Sequence, residues 1–237
     1  MKVEAIIAAA GVGERLKNPL PKPLVKIQGK PIFVHTLEIF EKCSLIDDII
    51  LVVHPKHLKD YRKYAKAYSL SKVKTVVAGG DCRRDSVLNG LKALDKDTDI
   101  VVVHDGVRPL VTPKIITDSI KACRKHPAVI VAVKVKPTIK RVDEQLFVEA
   151  TLKRDKLWEI QTPQVFQKDI LLKAYQKTSL PEATDDASLV EEMGVKVKIL
   201  EGDYRNIKIT TPEDLIIAEA FLKQTVIPAQ AGIHDTK

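Results

Sequence analysis

Through the first 135 residues, short apolar runs alternate with longer stretches whose apolar positions recur every three or four residues. The runs are Val3–Ala8, Asp48–Val53, Val73–Ala78, Ile100–Val103 and Ala128–Val135. Near-continuous Val, Ile and Ala over so few residues marks strands buried on both faces. Between them, Pro31 opens a helix carrying Ile32, Val34, Leu37 and Phe40, with proline in the first turn, where its missing N–H costs nothing. Pro55–Ala67 and Pro113–Arg124 read the same way, and Arg83–Leu94 sets Val87, Leu88, Leu91 and Leu94 on one face. This alternation predicts an α/β chain: a mostly parallel, twisted sheet flanked by helices. Right-handed crossovers then gather the C-terminal ends of the strands at one edge, where ligands bind in such sheets.

Past Val135 the alternation breaks. Thr138–Val142 and Leu146–Thr151 read as β segments around a turn at Asp143-Glu144-Gln145, which predicts a projecting β-arm over residues 136–156. A strand near Trp158–Phe166, a helix from Lys168, a helix around Ala187–Met193, a strand Lys196–Leu200 and a last helix from Pro212 follow. Thr225–Lys237 has no period and is expected to be poorly ordered. The expected organisation is one domain over residues 1–222 with a tail from 223 to 237.

Composition adds bounds. A chain of 237 residues, 45% hydrophobic and 30% charged, is long enough for a full core. No apolar run approaches a membrane span, and Met1-Lys2 runs into a strand without a signal-peptide pattern, so cytoplasmic residence is expected. Cys43, Cys82 and Cys123 form no CxxC pair, and reduced thiols are expected. The net charge of +8 suits an anionic partner. Aromatics make up only 5% and the lysines are dispersed, which argues against a nucleic-acid binder.

The candidate chemistry sits in loops that follow the expected strands. In AAAGVGERL, Gly11 and Gly13 let the backbone turn and aim N–H groups at an anion. Ala8, Ala9 and Ala10 leave room for a flat base or sugar, and Arg15 and Lys22 add positive charge. The loop has neither the third glycine of a dinucleotide fingerprint nor the GK[ST] of a P-loop. A nucleoside triphosphate site that relies on side-chain cations remains. In GGDCRRDSVLNGL, Gly80, Asp81 and Ser86 are candidates for a base edge or ribose, and Arg83 for phosphate; Asp81 reads equally as the cap of the following helix. In HDGVRP, Asp105 ends a buried strand, the usual place for a residue that handles Mg²⁺ or a substrate hydroxyl, and Arg108 suits phosphate. His104 reads as a satisfied, partly buried histidine. Thr162 and Thr184 offer hydroxyls, and Arg154 and Lys208 offer charge. Thr184-Asp185 also reads as a helix N-terminus.

Taken in order, AAAGVGERL, Pro21-Lys22, GGDCRRDSV, HDGVRP, the Thr138 segment, QTPQ, TDDAS and NIKIT resemble the 2-C-methyl-D-erythritol 4-phosphate cytidylyltransferase family over about residues 2–222. That resemblance implies a Rossmann-like fold of the nucleotide-diphospho-sugar transferase type. It implies that Arg15 and Lys22 bind the triphosphate, and that Ala9, Ala10, Gly11, Gly80, Asp81 and Ser86 contact cytidine. Asp105, Arg108, Thr138, Thr162 and Thr184 would line the methylerythritol phosphate pocket, and Arg154 and Lys208 would position that substrate. It further implies a Mg²⁺-dependent homodimer with exchanged β-arms, so that Thr138 and Arg154 serve the partner's site. The chain departs from the pattern at Gly106-Val107, at Pro137 and at Pro23-Leu24.

The implied reaction is in-line attack of the acceptor phosphate on the α-phosphorus of CTP, with pyrophosphate leaving. Two anions must meet, so preorganised cations are the main need. The rivals are an enzyme of the same fold acting on ribitol phosphate or another sugar phosphate, and a non-catalytic basic module for nucleic acid.

Overall fold

The computed structural model describes residues 1–11, 20–177 and 184–224. Its elements run β1 (Lys2–Ala9), β2 (Lys26–Ile27), β3 (Lys30–Pro31), α1 (Ile32–Glu41), β4 (Asp48–Val53), α2 (Leu58–Ala67), β5 (Val73–Ala78), α3 (Arg83–Lys92), β6 (Thr98–Asp105), α4 (Pro113–Cys123) and β7 (Ala128–Lys134). The arm follows as β8 (Lys140–Val142) and β9 (Val148–Thr151), then β10 (Trp158–Gln167), α5 (Lys168–Lys177), α6 (Asp186–Glu192), β11 (Lys198–Glu201) and α7 (Pro212–Gln224).

Seven strands form one sheet in the order β11-β7-β10-β6-β1-β4-β5. β1 pairs in parallel with both β4 and β6, and β4 with β5. β10 runs antiparallel to β6 and β7, and β11 is parallel to β7. The chain fills one side of β1 with β4 and β5, then returns to place β6 on the other side. The ends of β1 and β6 therefore flank a reversal of strand order, where a crevice opens in such sheets.

Alternation along the pleat sends side chains to opposite faces. Ala5 and Ile7 join Phe33, Leu37 and Phe40 of α1, Tyr61 of α2 and Ile116 and Ile120 of α4. Ile6 joins Val87 and Leu91 of α3, Leu171 and Ala174 of α5, and Leu189 and Val190 of α6. A smaller apolar cluster unites Val25, Ile27, Ile32, Val107, Ile209 and Ala218. It ties together three loops at the C-terminal edge.

Two expectations shift in detail. Pro55–His57 is a separate 3₁₀ turn before α2, with the His54 imidazole accepting the Lys56 N–H. Asp81 does not cap α3: the cap position is Cys82, in extended conformation, and its side chain makes no capping bond. All three cysteines are free. The expectation for the tail, and the sites Gly13 and Arg15, lie outside the described residues.

Candidate active site

Two loops meet beyond the end of β1. The Gly79 N–H donates to the Val53 carbonyl (2.8 Å). A Cβ at Gly79 would lie 2.4 Å from the Ala10 Cβ and 2.8 Å from the Ser86 Oγ, so only glycine fits. Ser86 is buried in the first turns of α3, and its Oγ accepts the Gly80 N–H (3.1 Å). Ala10, Gly79, Gly80 and Ser86 thus form one wall, with Gly11 and Asp81 exposed beside it. On the other side, the Gly106 N–H donates to the Ala8 carbonyl (2.8 Å), and a Cβ at Gly106 would come within 3.0 Å of the Ala9 Cβ.

Asp105 closes β6 and is buried. Its Oδ2 lies 3.1 Å from the Lys208 Nζ and 3.2 Å from the Arg108 Nε, and its Oδ1 lies 3.8 Å from the Arg83 Nε. Burial alone would raise its pKa, but Lys208, Arg83 and Arg108 outweigh burial and hold the carboxyl well below the usual range. Arg108 also donates through Nη1 to the Asn206 carbonyl (2.8 Å). Asn206 donates in turn to the Thr162 carbonyl (2.9 Å) and the Gln161 Oε1 (3.2 Å).

Thr162 lies in β10, where the register shifts between Ile160 and Gln164. Its Oγ1 accepts the Asp105 N–H (3.1 Å) and sits 2.9 Å from the His104 Nδ1. The other ring nitrogen of His104 faces the Arg108 carbonyl at 3.4 Å. Complete burial lowers the His104 pKa to about 3, so the ring is neutral. The expectation of a satisfied histidine holds, with the ring fully buried.

Lys22 begins a 3₁₀ turn (Lys22–Leu24) and is itself buried. The turn leads into Val25, which packs with Val107 and Ile209, next to Gly106 and Lys208 in the chain. Thr36 of α1 fixes the same edge by donating to the Gly106 carbonyl (3.1 Å). Lys22, Gly106 and Lys208 are therefore borne by loops that share one small core.

The arm carries Thr138 and Arg154. Thr138 is exposed, and the exposed Arg154 donates to the Lys136 carbonyl (2.7 Å). Thr184 is exposed at the start of α6, where Asp185 caps the helix by accepting the Ser188 N–H (3.1 Å). Sequence reasoning missed Asn206, Asp186 and Tyr175. Asn206 and Asp186 stood within quoted motifs, NIKIT and TDDAS, and Tyr175 carried no signal.

Among the described residues one acidic group has metal-ligand spacing: Glu4, Asp48 and Asp95. It lies at the opposite end of β1, about 16 Å from Ala9 at the usual strand rise. Lys2 and Lys74 already pair with Asp48 and Asp95 there.

A glycine- and alanine-lined crevice at a sheet's switch point, with a cation cluster on its rim, defines a nucleotidyltransferase-type α/β protein. The model of the family described as 2-C-methyl-D-erythritol 4-phosphate cytidylyltransferase matches residues 3–224. A protein of that name from Alkaliphilus metalliredigens is 49% identical over 227 residues, covering 94% of each chain. Another from Alkaliphilus oremlandii is 47% identical, covering 94% of this chain and 95% of its own. The solved 4-diphosphocytidyl-2C-methyl-D-erythritol synthase of Anaerococcus prevotii superposes with a TM-score of 0.82 at 37% identity, covering 94% of this chain and 98% of its own. The chain belongs to the 2-C-methyl-D-erythritol 4-phosphate cytidylyltransferase family. Its activity is CTP-dependent formation of 4-diphosphocytidyl-2-C-methyl-D-erythritol in the methylerythritol phosphate route to isoprenoids. Between the acceptors weighed from the sequence, the family selects methylerythritol phosphate over ribitol phosphate.

Proposed function

We propose that the two walls of the crevice divide the substrates between them. Ala9, Ala10, Gly11, Gly13, Gly80, Asp81 and Ser86 take CTP. Asp105, Arg108, Thr162, Thr184 and Lys208 take methylerythritol phosphate, with Thr138 and Arg154 supplied by a partner's arm. The observation that carries this reading is the Asp105 cluster, where a buried anion holds Arg83, Arg108 and Lys208 at the rim. A carboxylate kept ionised accepts hydrogen bonds from sugar hydroxyls, and the surplus cations face the acceptor phosphate.

Arg15 and Lys22 are assigned to the triphosphate, where they stabilise the charge that builds on the α-phosphate and the leaving pyrophosphate. Burial of Lys22 in a proline-flanked turn preorganises that charge. A phosphate monoester is already ionised near neutral pH, so attack needs no general base.

Among the described residues, Asp105 does not fit a protein-bound divalent ion. Lys208, Arg108 and Arg83 already lie against both oxygens of Asp105, which was the expected Mg²⁺ ligand. The place proposed for Mg²⁺ is on the phosphate oxygens of CTP, where it would neutralise charge.

A homodimer is supported by the arm. Leu146, Phe147 and Val148 are exposed near its tip, an apolar surface that a second copy would cover. No described helix is long and apolar enough to cross a membrane, and cytoplasmic residence is proposed. The test of the whole reading is pyrophosphate release from CTP with and without methylerythritol phosphate. Acceptor-dependent release is expected, and release that is unchanged by the acceptor sinks it.

A further inference from the structure

Arg83, expected on the triphosphate, is committed elsewhere. Its Nη2 lies 2.7 Å from the Asp186 Oδ2. Asp186 is almost wholly buried at the start of α6. The other oxygen of Asp186 accepts the Tyr175 hydroxyl proton (2.6 Å), and the Asp186 N–H is held by the Gln164 Oε1 (3.1 Å). A buried carboxylate demands a counter-ion, and Arg83 provides it. The pair is close to neutral as a unit, so Arg83 has little net charge left for a phosphate.

The free side of the guanidinium faces the Asp105 Oδ1 at 3.8 Å. Arg108 and Lys208 both pull on Oδ2. Arg83 is thus the cation on the opposite oxygen, and it opposes rotation of the carboxylate toward the other two. Its fork spans two carboxylates that are 81 residues apart in the chain, a task for a rigid planar cation.

We propose that Arg83 is a positioning residue: anchored by Asp186 and Tyr175, it sets the orientation of Asp105 and through it the seating of the acceptor. The inference rests on the assignment of Asp105 to the acceptor. It also implies that α5 and α6, through Tyr175 and Asp186, are part of the specificity apparatus.

The test is a kinetic cycle on the full chain with Arg83→Gln, Asp105→Asn and the double variant, varying CTP and methylerythritol phosphate separately. Arg83→Gln should lower kcat/KM for the acceptor on the order of 10²-fold, the cost of a small misplacement, and change KM for CTP less than about twofold. In the Asp105→Asn background the same change should cost less than about threefold, because the two residues act as one unit. A raised KM for CTP with unaltered acceptor kinetics overturns the proposal, as do losses that multiply independently in the double variant. An Asp105→Asn protein with normal acceptor kinetics would instead overturn the assignment of Asp105 itself. If Arg83→Gln does not fold, Arg83→Lys carries the comparison. It keeps a charge on Asp186 but lacks the second arm of the fork, and the same selective loss for the acceptor is expected in weaker form. Acceptor kinetics like those of the parent in Arg83→Lys would then count against the proposal.

Discussion

The hydroxyl of Thr162 and the imidazole of His104 meet at 2.9 Å, across 58 residues of chain. The geometry sets the direction of the bond. The Arg108 carbonyl can only accept, so the single hydrogen of the neutral ring sits on Nε2, and the bare Nδ1 takes the Thr162 proton while the Thr162 oxygen accepts the Asp105 N–H. One hydroxyl therefore holds both the backbone of Asp105 and the tautomer of the buried ring.

Replacing Thr162 by Val leaves two buried polar groups without that partner. Stability should fall by about 1–3 kcal/mol, the usual cost of a buried unsatisfied group. Acceptor kcat/KM should fall as well, while Thr162→Ser retains most of both. Urea melts beside steady-state kinetics check this, and equal behaviour of the Val and Ser variants contradicts it.

The neutral state of His104 has a consequence for pH. Its folded pKa is depressed to about 3, so between that value and the ordinary histidine pKa of about 6.5 the unfolded chain binds a proton that the folded chain excludes. Stability is therefore lost as pH falls through this window. Asp105, also depressed, adds to the loss only below the ordinary carboxylate range. Thermal melts between about pH 7 and 4.5 should show a shallower decline for His104→Asn than for the parent. Parallel declines would show that the ring is not the responsible group.

Lys22→Ala should lower kcat on the order of 10²–10³, as loss of one preorganised donor does, and Arg15→Ala should do the same. Rapid-quench measurement of pyrophosphate formation separates this from slow product release. Near-normal turnover of purified Lys22→Ala defeats the assignment.

Arm exchange predicts rescue in mixtures. Arg154→Ala and Asp105→Asn proteins should each be nearly inactive with the acceptor. Refolded together, half of the dimers are mixed, and each mixed dimer has one intact site, giving about a quarter of parental activity. Mixtures no more active than their components would place Arg154 in its own protomer's site. Phe147→Asp, by charging the exposed apolar arm, should shift the protein toward monomer in sedimentation.

Much of this was readable from the residues. Unbroken Val and Ile runs revealed the buried strands, and Gly79, Gly80 and Asp105 fell beyond or at the ends of those runs. The direction of β10 was not readable, because an apolar segment such as Gln164–Phe166 looks alike whichever way it runs. Of the two readings of Asp81, the cap fails because the chain stays extended through Cys82 before α3 begins at Arg83. The Arg83–Asp186 pair joins positions 103 residues apart, and no local pattern announces such a contact. Tyr175 reads as an ordinary apolar-face residue of α5. Only its hydroxyl's bond to Asp186 reveals its part.

The insertion of β10 between β6 and β7 interlaces the stretches of chain on either side of the arm, since β11 and β10, which follow it, alternate in the sheet with β7 and β6, which precede it. Cleaving the chain at the Asp143–Leu146 turn would yield fragments shaped like the teeth of two combs, each with gaps that the other fills. Neither should fold by itself, yet co-expression should regenerate a working enzyme, which makes this hairpin a natural place to build a split reporter of proximity.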